Sequence, residues 1–236
     1  EGVTCAAPQC NGEPDPSTGN RIGYRKRLKD LMTNNGYSID LVGTRNAAAP
    51  DLDSDPSNGD PNGGYGYNRF DDFESEGHGG KKSEYFRDNT LSASTWLTPS
   101  DPVIVLLHVG TNDFQSDNSP PPIVDYVVDT VNNIFSYRSQ ARVYVARIIG
   151  QHPENLRNVS SSDVDDFNDA VVSAVTAISN RVHIVDQFNG IDYSTTGTAN
   201  PDFGDTNVHP STSAYNRMAS RWYNSLRNSG MFERCP

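Results

Sequence analysis

One segment of the sequence combines a glycine, an amide and a carboxyl group directly after an apolar run. The apolar run is Val103–Leu107, and His108–Asp113 follows it with the sequence His-Val-Gly-Thr-Asn-Asp. A glycine followed by small polar residues forms a tight turn, which would raise the Asn112 side chain above the end of a strand. An amide in that position can donate a hydrogen bond to an oxyanion that develops during acyl transfer. In the alternative interpretation the segment is only a polar turn, in which Asp113 caps the next element.

Two further segments place hydrogen-bonding or titratable groups next to predicted helices. His209 stands directly before Pro210 at the start of the last predicted helix, where an imidazole would lie at the rim of a pocket. A lone histidine is more often a satisfied surface or core residue, so this position alone does not establish a role. The segment Glu76–Gly80 would form a glycine nest whose backbone N–H groups face an anion. Each segment is weak evidence by itself, and their combination is what carries weight.

Apolar periodicity predicts the helices and strands that position these segments. Helical patterns occur at residues 22–34, 81–88, 123–137, 163–178 and 211–226, with a further turn near 92–97. Asp163 is the predicted N-cap of the fourth of these helices. Strand-like runs occur at residues 37–42, 103–109, 142–149 and 182–185. Strands that alternate with helices are typical of an α/β protein whose parallel sheet lies between layers of helices. Functional loops in such proteins follow the carboxyl ends of the strands.

The chain is predicted to form one domain, residues 1–236, with two irregular parts. Residues 1–20 contain prolines and glycines that forbid a long element. Residues 44–80 form a long acidic loop rich in Gly and Pro, and loops of this length are usually functional. Within it Asp51, Asp53 and Asp55 alternate ahead of a glycine turn, as in a calcium-binding loop. The closing Glu of an EF-hand is missing, so a solvated loop is favoured and a structural calcium site is the alternative.

Composition and charge exclude several classes of function. The chain has 236 residues, of which 34% are hydrophobic and 21% charged, as expected of a globular domain with a core. Its longest apolar run, Val103–Leu107, is far shorter than the roughly 20 residues of a membrane span. The formal net charge of −11 repels phosphate backbones, so we expect no nucleic-acid partner. A neutral or weakly charged substrate such as a polysaccharide fits this charge better.

Cysteine usage and processing signals favour an extracellular protein. Cys5 and Cys10 lie close together and Cys235 is the penultimate residue, so one cysteine is free or pairs outside this sequence. The sequence begins with Glu1 rather than Met, as in a processed form. Asn158 begins an Asn-Val-Ser sequon, a candidate glycosylation site. Together with the low lysine content, these features predict a secreted protein.

The order of the candidate segments resembles one known family. The similar segments are, in chain order, Ser17–Arg25, Asp40–Gly43, Gly77–Gly80, Gly110–Asp113 and His209-Pro210. Their combination resembles the SGNH (GDSL-like) hydrolases, and within them carbohydrate esterase family three, the acetyl xylan esterases. The resemblance implies a three-layer α/β/α sandwich with a parallel, flavodoxin-like sheet. It also implies an esterase that deacetylates a plant-wall polysaccharide such as xylan and requires no cofactor.

The resemblance assigns roles to individual residues. Gly80 would be the backbone donor of an oxyanion hole, Asn112 its side-chain donor, and His209 the general base. The family places an orienting Asp three residues before this His. Here Thr206 occupies that position, and Asp205, one residue earlier, is the candidate.

The nucleophile is the main departure from the family pattern. The family uses the Ser of a Gly-Asp-Ser motif at the end of the first strand, and no Gly-Asp-Ser occurs in this sequence. Because Glu1–Thr4 looks like the residues that follow the motif, we expect the first strand and the Ser on an N-terminal segment outside this sequence. That segment would be a cleaved peptide that stays bound, or a part that the sequence does not include. The alternative is an inactive SGNH-like protein that binds carbohydrate or another partner through the same cleft. Ser17 and Ser213 are the nearest serines by sequence, and neither follows a predicted strand.

Overall fold

The computed structural model describes nine segments of the chain. They are residues 23–43, 75–78, 80–91, 96–97, 103–115, 121–151, 159–196, 200–203 and 210–230. The chain divides into two compact units. The first comprises residues 1–77, 198–205 and 209–236, and the second comprises residues 78–197 and 206–208. The assignment of residues 1–236 to a single domain stays a prediction.

The described residues form five α-helices, three strands and one 3-10 helix. In chain order these elements are α1 (Arg25–Asn34), α2 (Ser83–Thr90), β1 (Ile104–Leu107), the 3-10 helix (Thr111–Gln115), α3 (Pro121–Tyr137), β2 (Arg142–Arg147), α4 (Ser161–Thr176), β3 (Val182–Asp186) and α5 (Thr212–Asn228). Helices α1 and α5 belong to the first unit, and the other elements belong to the second.

A parallel sheet runs through the second unit in the order β1-β2-β3. Leu107 of β1 pairs with Val145 of β2, which pairs in turn with Ile184 of β3. The apolar sequence of β2 reflects its position as the middle strand, since Val143 and Tyr144 are completely buried. The carboxyl ends of all three strands therefore meet at one edge of the sheet.

Helices of the second unit pack on one another and on the sheet. Helix α2 packs on α3, α3 packs on α4, and α4 packs on β2 and β3. These elements share one hydrophobic core, which includes Leu107, Val127, Val131, Ile134, Val143, Val145, Val164, Phe167 and Val171. Helix α4 begins with a capping box, in which Ser160 and Asp163 bond to each other's backbone N–H.

The described part of the first unit contains two amphipathic helices. Leu28 and Met32 of α1, four residues apart, are buried, as are Met218 and Trp222 of α5. Helix α1 packs against α5, so both apolar stripes follow the spacing that a helix-on-helix contact requires. Gly43 approaches the backbone of Ser75 so closely that a Cβ atom would lie 2.2 Å from the Ser75 carbonyl carbon.

The predicted α/β class with a parallel sheet is confirmed, with two local differences. Residues 37–42, predicted as a strand, have neither strand nor helix structure, because alternation of side chains does not by itself supply a neighbouring strand. The N-cap of α4 is Ser160 rather than Asp163, which lies in the first turn of the helix and bonds back to Ser160. Within the described segments, no helix combines the length and the apolar character needed to cross a membrane.

Candidate active site

The turn that follows β1 is tight and requires glycine at one position. Gly110 has φ +124°, a conformation that glycine adopts without steric penalty. A Cβ atom on Gly110 would lie 2.8 Å from a ring carbon of Phe167 and 3.3 Å from Ile148 Cδ1. The Asp113 N–H donates a hydrogen bond to the Gly110 carbonyl at 3.0 Å. The turn therefore carries Asn112 beyond the carboxyl end of the strand, as the sequence predicts.

The predicted glycine segment lies beside this turn. Gly80 has φ +77° and no atom within 4 Å of where its Cβ would stand, so backbone conformation rather than space favours glycine there. Asn112 Nδ2 donates a hydrogen bond to the carbonyl of Lys81, the next residue, at 3.3 Å. Because Asn112 is only 8% exposed, this bond orients a nearly buried amide. An amide nitrogen carries two hydrogens, so the same group can also donate to a ligand oxygen.

Asp113 connects the same turn to the start of α2. Its carboxylate accepts two hydrogen bonds from the Ser83 N–H, at 2.9 and 3.1 Å, and one from the Ser83 hydroxyl, at 2.7 Å. The N-cap residue Lys82 contributes no side-chain cap of its own. Asp113 therefore caps a helix that precedes it in the chain, whereas the alternative interpretation predicts that it caps the next element. Burial raises the pKa of Asp113, while the hydrogen bonds from Ser83 and the charge of Lys82 act in the opposite direction.

Aromatic side chains hold the residues on both sides of Gly80. The His78 ring stacks on Trp96 with centroids 4.8 Å apart, and the Tyr85 hydroxyl lies 3.3 Å from His78 Nδ1. Lys81 Nζ lies 5.0 Å from the centroid of the Tyr85 ring. These contacts connect the glycine segment to α2. The local sequence pattern does not predict these contacts, although three aromatic residues, Tyr85, Phe86 and Trp96, follow His78 within twenty positions.

A side chain of α4 fixes the chain beyond the end of β2. Asn168 Oδ1 accepts a hydrogen bond from the Ile148 N–H at 2.7 Å, and Asn168 Nδ2 donates to the Ile148 carbonyl at 2.9 Å. Two residues further, the Gly150 N–H donates to the Tyr193 hydroxyl at 2.9 Å. Asn168 is a structural residue that the sequence analysis missed. A polar residue within the apolar stripe of a helix is the signal that could have identified it.

Other predicted site residues lie outside the described part of the chain. They are His209, Asp205, the candidate calcium ligands Asp51, Asp53 and Asp55, and the cysteines Cys5, Cys10 and Cys235. The predicted helix start that follows the histidine position is confirmed. Ser211 Oγ accepts a hydrogen bond from the Ala214 N–H at 3.2 Å and so caps α5.

The structure describes one of the two serines that are nearest by sequence to the predicted site. Ser213 lies in the first turn of α5, where its hydroxyl accepts a hydrogen bond from Arg217 at 3.1 Å. Ser17 lies outside the described residues.

Among the side chains that the structure does describe, no group of three or more His, Cys, Asp or Glu residues could hold a metal ion.

The structure thus brings the two predicted oxyanion-hole positions, Gly80 and Asn112, close together near the carboxyl end of β1. One donor is the backbone of a glycine in a left-handed conformation, and the other is the Asn112 amide, bonded to the residue after that glycine. Donors that are fixed before a ligand arrives can stabilise negative charge on a carbonyl oxygen during acyl transfer.

Comparison with known proteins identifies the family. Residues 54–217, more than two thirds of the chain, match the model of the GDSL-like Lipase/Acylhydrolase family. No curated protein matches the sequence. Two solved esterase structures have the same fold. A carbohydrate esterase family 3 structure from Talaromyces cellulolyticus has a TM-score of 0.66 at 22% identity, covering 88% of this chain and 90% of that one. The family 3 carbohydrate esterase of Clostridium thermocellum has a TM-score of 0.64 at 21% identity, covering 90% and 92%.

A third similar structure is an acetyl esterase mutant solved with an acetate ion, with a TM-score of 0.66 at 22% identity over 88% of this chain and 90% of that one. At these identities the likeness establishes the fold, which is the fold that the sequence predicts. The family match rests on the sequence itself and spans the Gly-Thr-Asn-Asp turn, the glycine segment and the position of His209. The chain therefore belongs to the GDSL-like lipase/acylhydrolase family.

Proposed function

We propose that the protein is a serine ester hydrolase of the SGNH type that removes acetyl groups from a polysaccharide. One observation carries the proposal: Asn112, after β1, is hydrogen-bonded to the residue that follows Gly80. That bond brings together the two positions to which the SGNH resemblance gives the oxyanion hole. Family membership supports the reaction class, and the fold shared with family 3 carbohydrate esterases supports a carbohydrate ester.

The proposed mechanism is a two-step acyl transfer. A serine hydroxyl attacks the ester carbonyl while His209 takes its proton, and the oxyanion accepts hydrogen bonds from the Gly80 N–H and Asn112 Nδ2. When the tetrahedral intermediate collapses, the C–O bond to the sugar breaks and His209 protonates the released sugar oxygen. Water activated by His209 then hydrolyses the acetyl-serine to acetate. Asp205 would orient the imidazole, and no step needs a cofactor.

The nucleophile in this mechanism is a serine outside the 236 residues, because they contain no Gly-Asp-Ser motif. The test is the intact mass of the full-length natural protein after reaction with a fluorophosphonate, measured with and without reductant. We expect one covalent adduct on a serine of the segment that precedes Glu1. The absence of an adduct on the full-length protein would remove the proposed mechanism and favour the alternative, an inactive protein that binds carbohydrate.

The substrate class has its own test. We expect release of acetate from acetylated xylan and faster turnover of acetyl than of longer acyl esters. The net charge of −11 is consistent with a neutral polysaccharide as substrate. If the protein reacts with the fluorophosphonate and, before labelling, hydrolyses aryl acetates but releases no acetate from acetylated xylan, the esterase assignment stands and the polysaccharide substrate is rejected.

Secretion, disulfide bonding and glycosylation are part of the same proposal. Their support is the placement of Cys5, Cys10 and Cys235 and the sequon at Asn158. In protein purified from its natural source, mass loss on enzymatic deglycosylation and a mass change on reduction would test both modifications. A structural calcium ion at Asp51, Asp53 and Asp55 would show as a melting temperature that falls with a chelator and recovers with calcium.

A further inference from the structure

We propose that Asp113 is a positioning residue for the oxyanion hole. Its carboxylate fixes the position of the Gly80 backbone relative to the Asn112 amide. The inference rests on the proposed function, since it concerns how that site is assembled. Asp113 directly follows Asn112, and its carboxylate binds Ser83, three residues after Gly80. Two consecutive residues of one turn therefore hold two positions of the segment Gly80–Ser83.

The geometry makes this connection rigid. Asp113 Oδ2 lies 2.9 Å from Ser83 N and 2.7 Å from Ser83 Oγ, and Oδ1 lies 3.1 Å from Ser83 N. Asp113 is 7% exposed and Ser83 is completely buried, so water does not compete for these bonds. Between Gly80 and Ser83 stand only Lys81 and Lys82. The carbonyl of Lys81 accepts the Asn112 bond, which places a second fixed point within the same four residues.

A role limited to helix capping does not explain why the cap comes from this turn. A serine or aspartate at the N-cap position would cap α2 locally and in water, whereas Lys82 at that position gives no side-chain cap. The carboxylate comes instead from 30 residues along the chain and is buried, which disfavours its charged form. The long-range bond also fixes the position of the segment Gly80–Ser83 relative to the turn that carries Asn112.

The chain contains a matched control for this idea. Asp163 accepts hydrogen bonds from the Ser160 N–H at 2.8 Å and the Ser160 hydroxyl at 2.7 Å, at the exposed start of α4. The two aspartates thus make the same kind of bonds to a serine at the start of a helix. Only Asp113 joins a helix start to the turn that carries Asn112. A substitution at Asp163 should affect stability without affecting the arrangement of the donors.

The experiment compares Asp113→Asn and Asp163→Asn in the full-length protein on an aryl acetate. Removal of a whole oxyanion donor costs about 10²–10³ in kcat, so displacement of donors by Asp113→Asn should lower kcat by about 10- to 100-fold. We expect KM to change by less than about threefold, because positioning acts on the transition state. Asp163→Asn should leave kcat within about twofold. Equal kcat values for the two variants at a temperature where both are folded would overturn the proposal.

A milder variant and a second readout cover the remaining outcomes. Ser83→Ala removes only the hydroxyl bond to Asp113, and we expect it to lower kcat by about threefold or more even if Asp113→Asn does not fold. If the wild-type protein hydrolyses no ester, the proposed function fails. Positioning is then tested by amide hydrogen exchange of residues 80–83, which should be faster in Asp113→Asn than in Asp163→Asn. Unchanged exchange in that segment would overturn the positioning role independently of catalysis.

Discussion

Helices α2 and α4 begin with the same chemistry in two different settings. At α4, Ser160 and Asp163 are three residues apart, exposed to water, and the bonds from Ser160 lower the pKa of Asp163. At α2, Ser83 is bound by Asp113, which lies 30 residues later in a buried position where its pKa is raised. The Ser160–Asp163 pair provides hydrogen-bond partners at the start of α4 only. The Ser83–Asp113 pair does the same at the start of α2 and also joins that helix to the turn after β1.

This difference separates residues that build the fold from residues that shape the site. A local cap uses residues adjacent in the chain and has no effect beyond its own helix. A buried carboxylate needs hydrogen-bond partners to offset its lost hydration. Buried titratable groups with shifted pKa values are concentrated at functional sites. A substitution of Asp113 should therefore affect both turnover and stability, whereas a substitution of Asp163 should affect stability alone.

The largest effect that tests this comparison involves two buried asparagines, Asn112 beside α2 and Asn168 on α4. Asn112→Ala should lower kcat by about 10²–10³, because it removes the side-chain donor to the oxyanion. Asn168→Ala leaves the Ile148 N–H and carbonyl without partners and should lower the free energy of unfolding by about 2–3 kcal/mol. The measurements are steady-state kinetics and urea denaturation of both variants. Loss of catalysis in Asn168→Ala but not in Asn112→Ala would contradict the distinction between residues of the fold and residues of the site.

The second effect is the stability of the two caps. Asp113→Ala strands the buried N–H and hydroxyl of Ser83, and we expect the free energy of unfolding to fall by about 2 kcal/mol. Asp163→Ala leaves Ser160 bonded to water instead, and should lower the free energy of unfolding by about 1 kcal/mol. Urea denaturation of the two variants under one buffer gives both values. A larger loss for Asp163→Ala would show that burial does not distinguish the caps.

The features that the sequence predicted correctly depend on neighbouring residues. The run Val103–Leu107 followed by Gly110 and Asn112 indicates a strand and a turn, because apolar runs and turn chemistry are local signals. The start of α5 was predictable for the same reason. The predicted burial of the strand on both faces is wrong, since Val103 is exposed and of the strand residues only Leu107 is fully buried. The oxyanion assignments came from the order of motifs along the chain, which a family resemblance supplies.

The features that the sequence did not reveal depend on long-range contacts. Asp113 binds Ser83 across 30 residues, and His78 stacks on Trp96 across 18, so neither pair is visible in a local pattern. Residues 37–42 alternate like a strand, but strand formation also requires a partner. Asn168 is the exception, since a polar residue in the apolar stripe of α4 could have been noticed.

A third, smaller effect is the pH dependence of the two caps. Asp163 has a folded-state pKa below 3.8, so its stabilisation is present above that value and is lost as the pH falls through the lowered pKa. Asp113 has a folded-state pKa above 3.8, so its contribution is most favourable below that value and is lost as the pH rises through the raised pKa. The difference in unfolding free energy between wild type and each Asp→Asn variant should therefore change in opposite directions as the pH rises. Parallel slopes would mean that both carboxylates share one environment.

The smallest effect concerns Gln151, which follows the end of β2 and is 1% exposed. Among the described residues, neither its Nε2 nor its Oε1 has a hydrogen-bond partner, whereas the Asn168 amide bonds to Ile148. A buried amide without partners is destabilising relative to an apolar side chain, so Gln151→Leu should raise the free energy of unfolding by about 0.5–1 kcal/mol. Gln140→Leu, at an exposed position, is the control and should have no measurable effect. A loss of stability in Gln151→Leu alone would show that this amide bonds to a bound water or ligand. The carboxyl end of β2 would then be a polar binding surface, as we propose for the carboxyl end of β1.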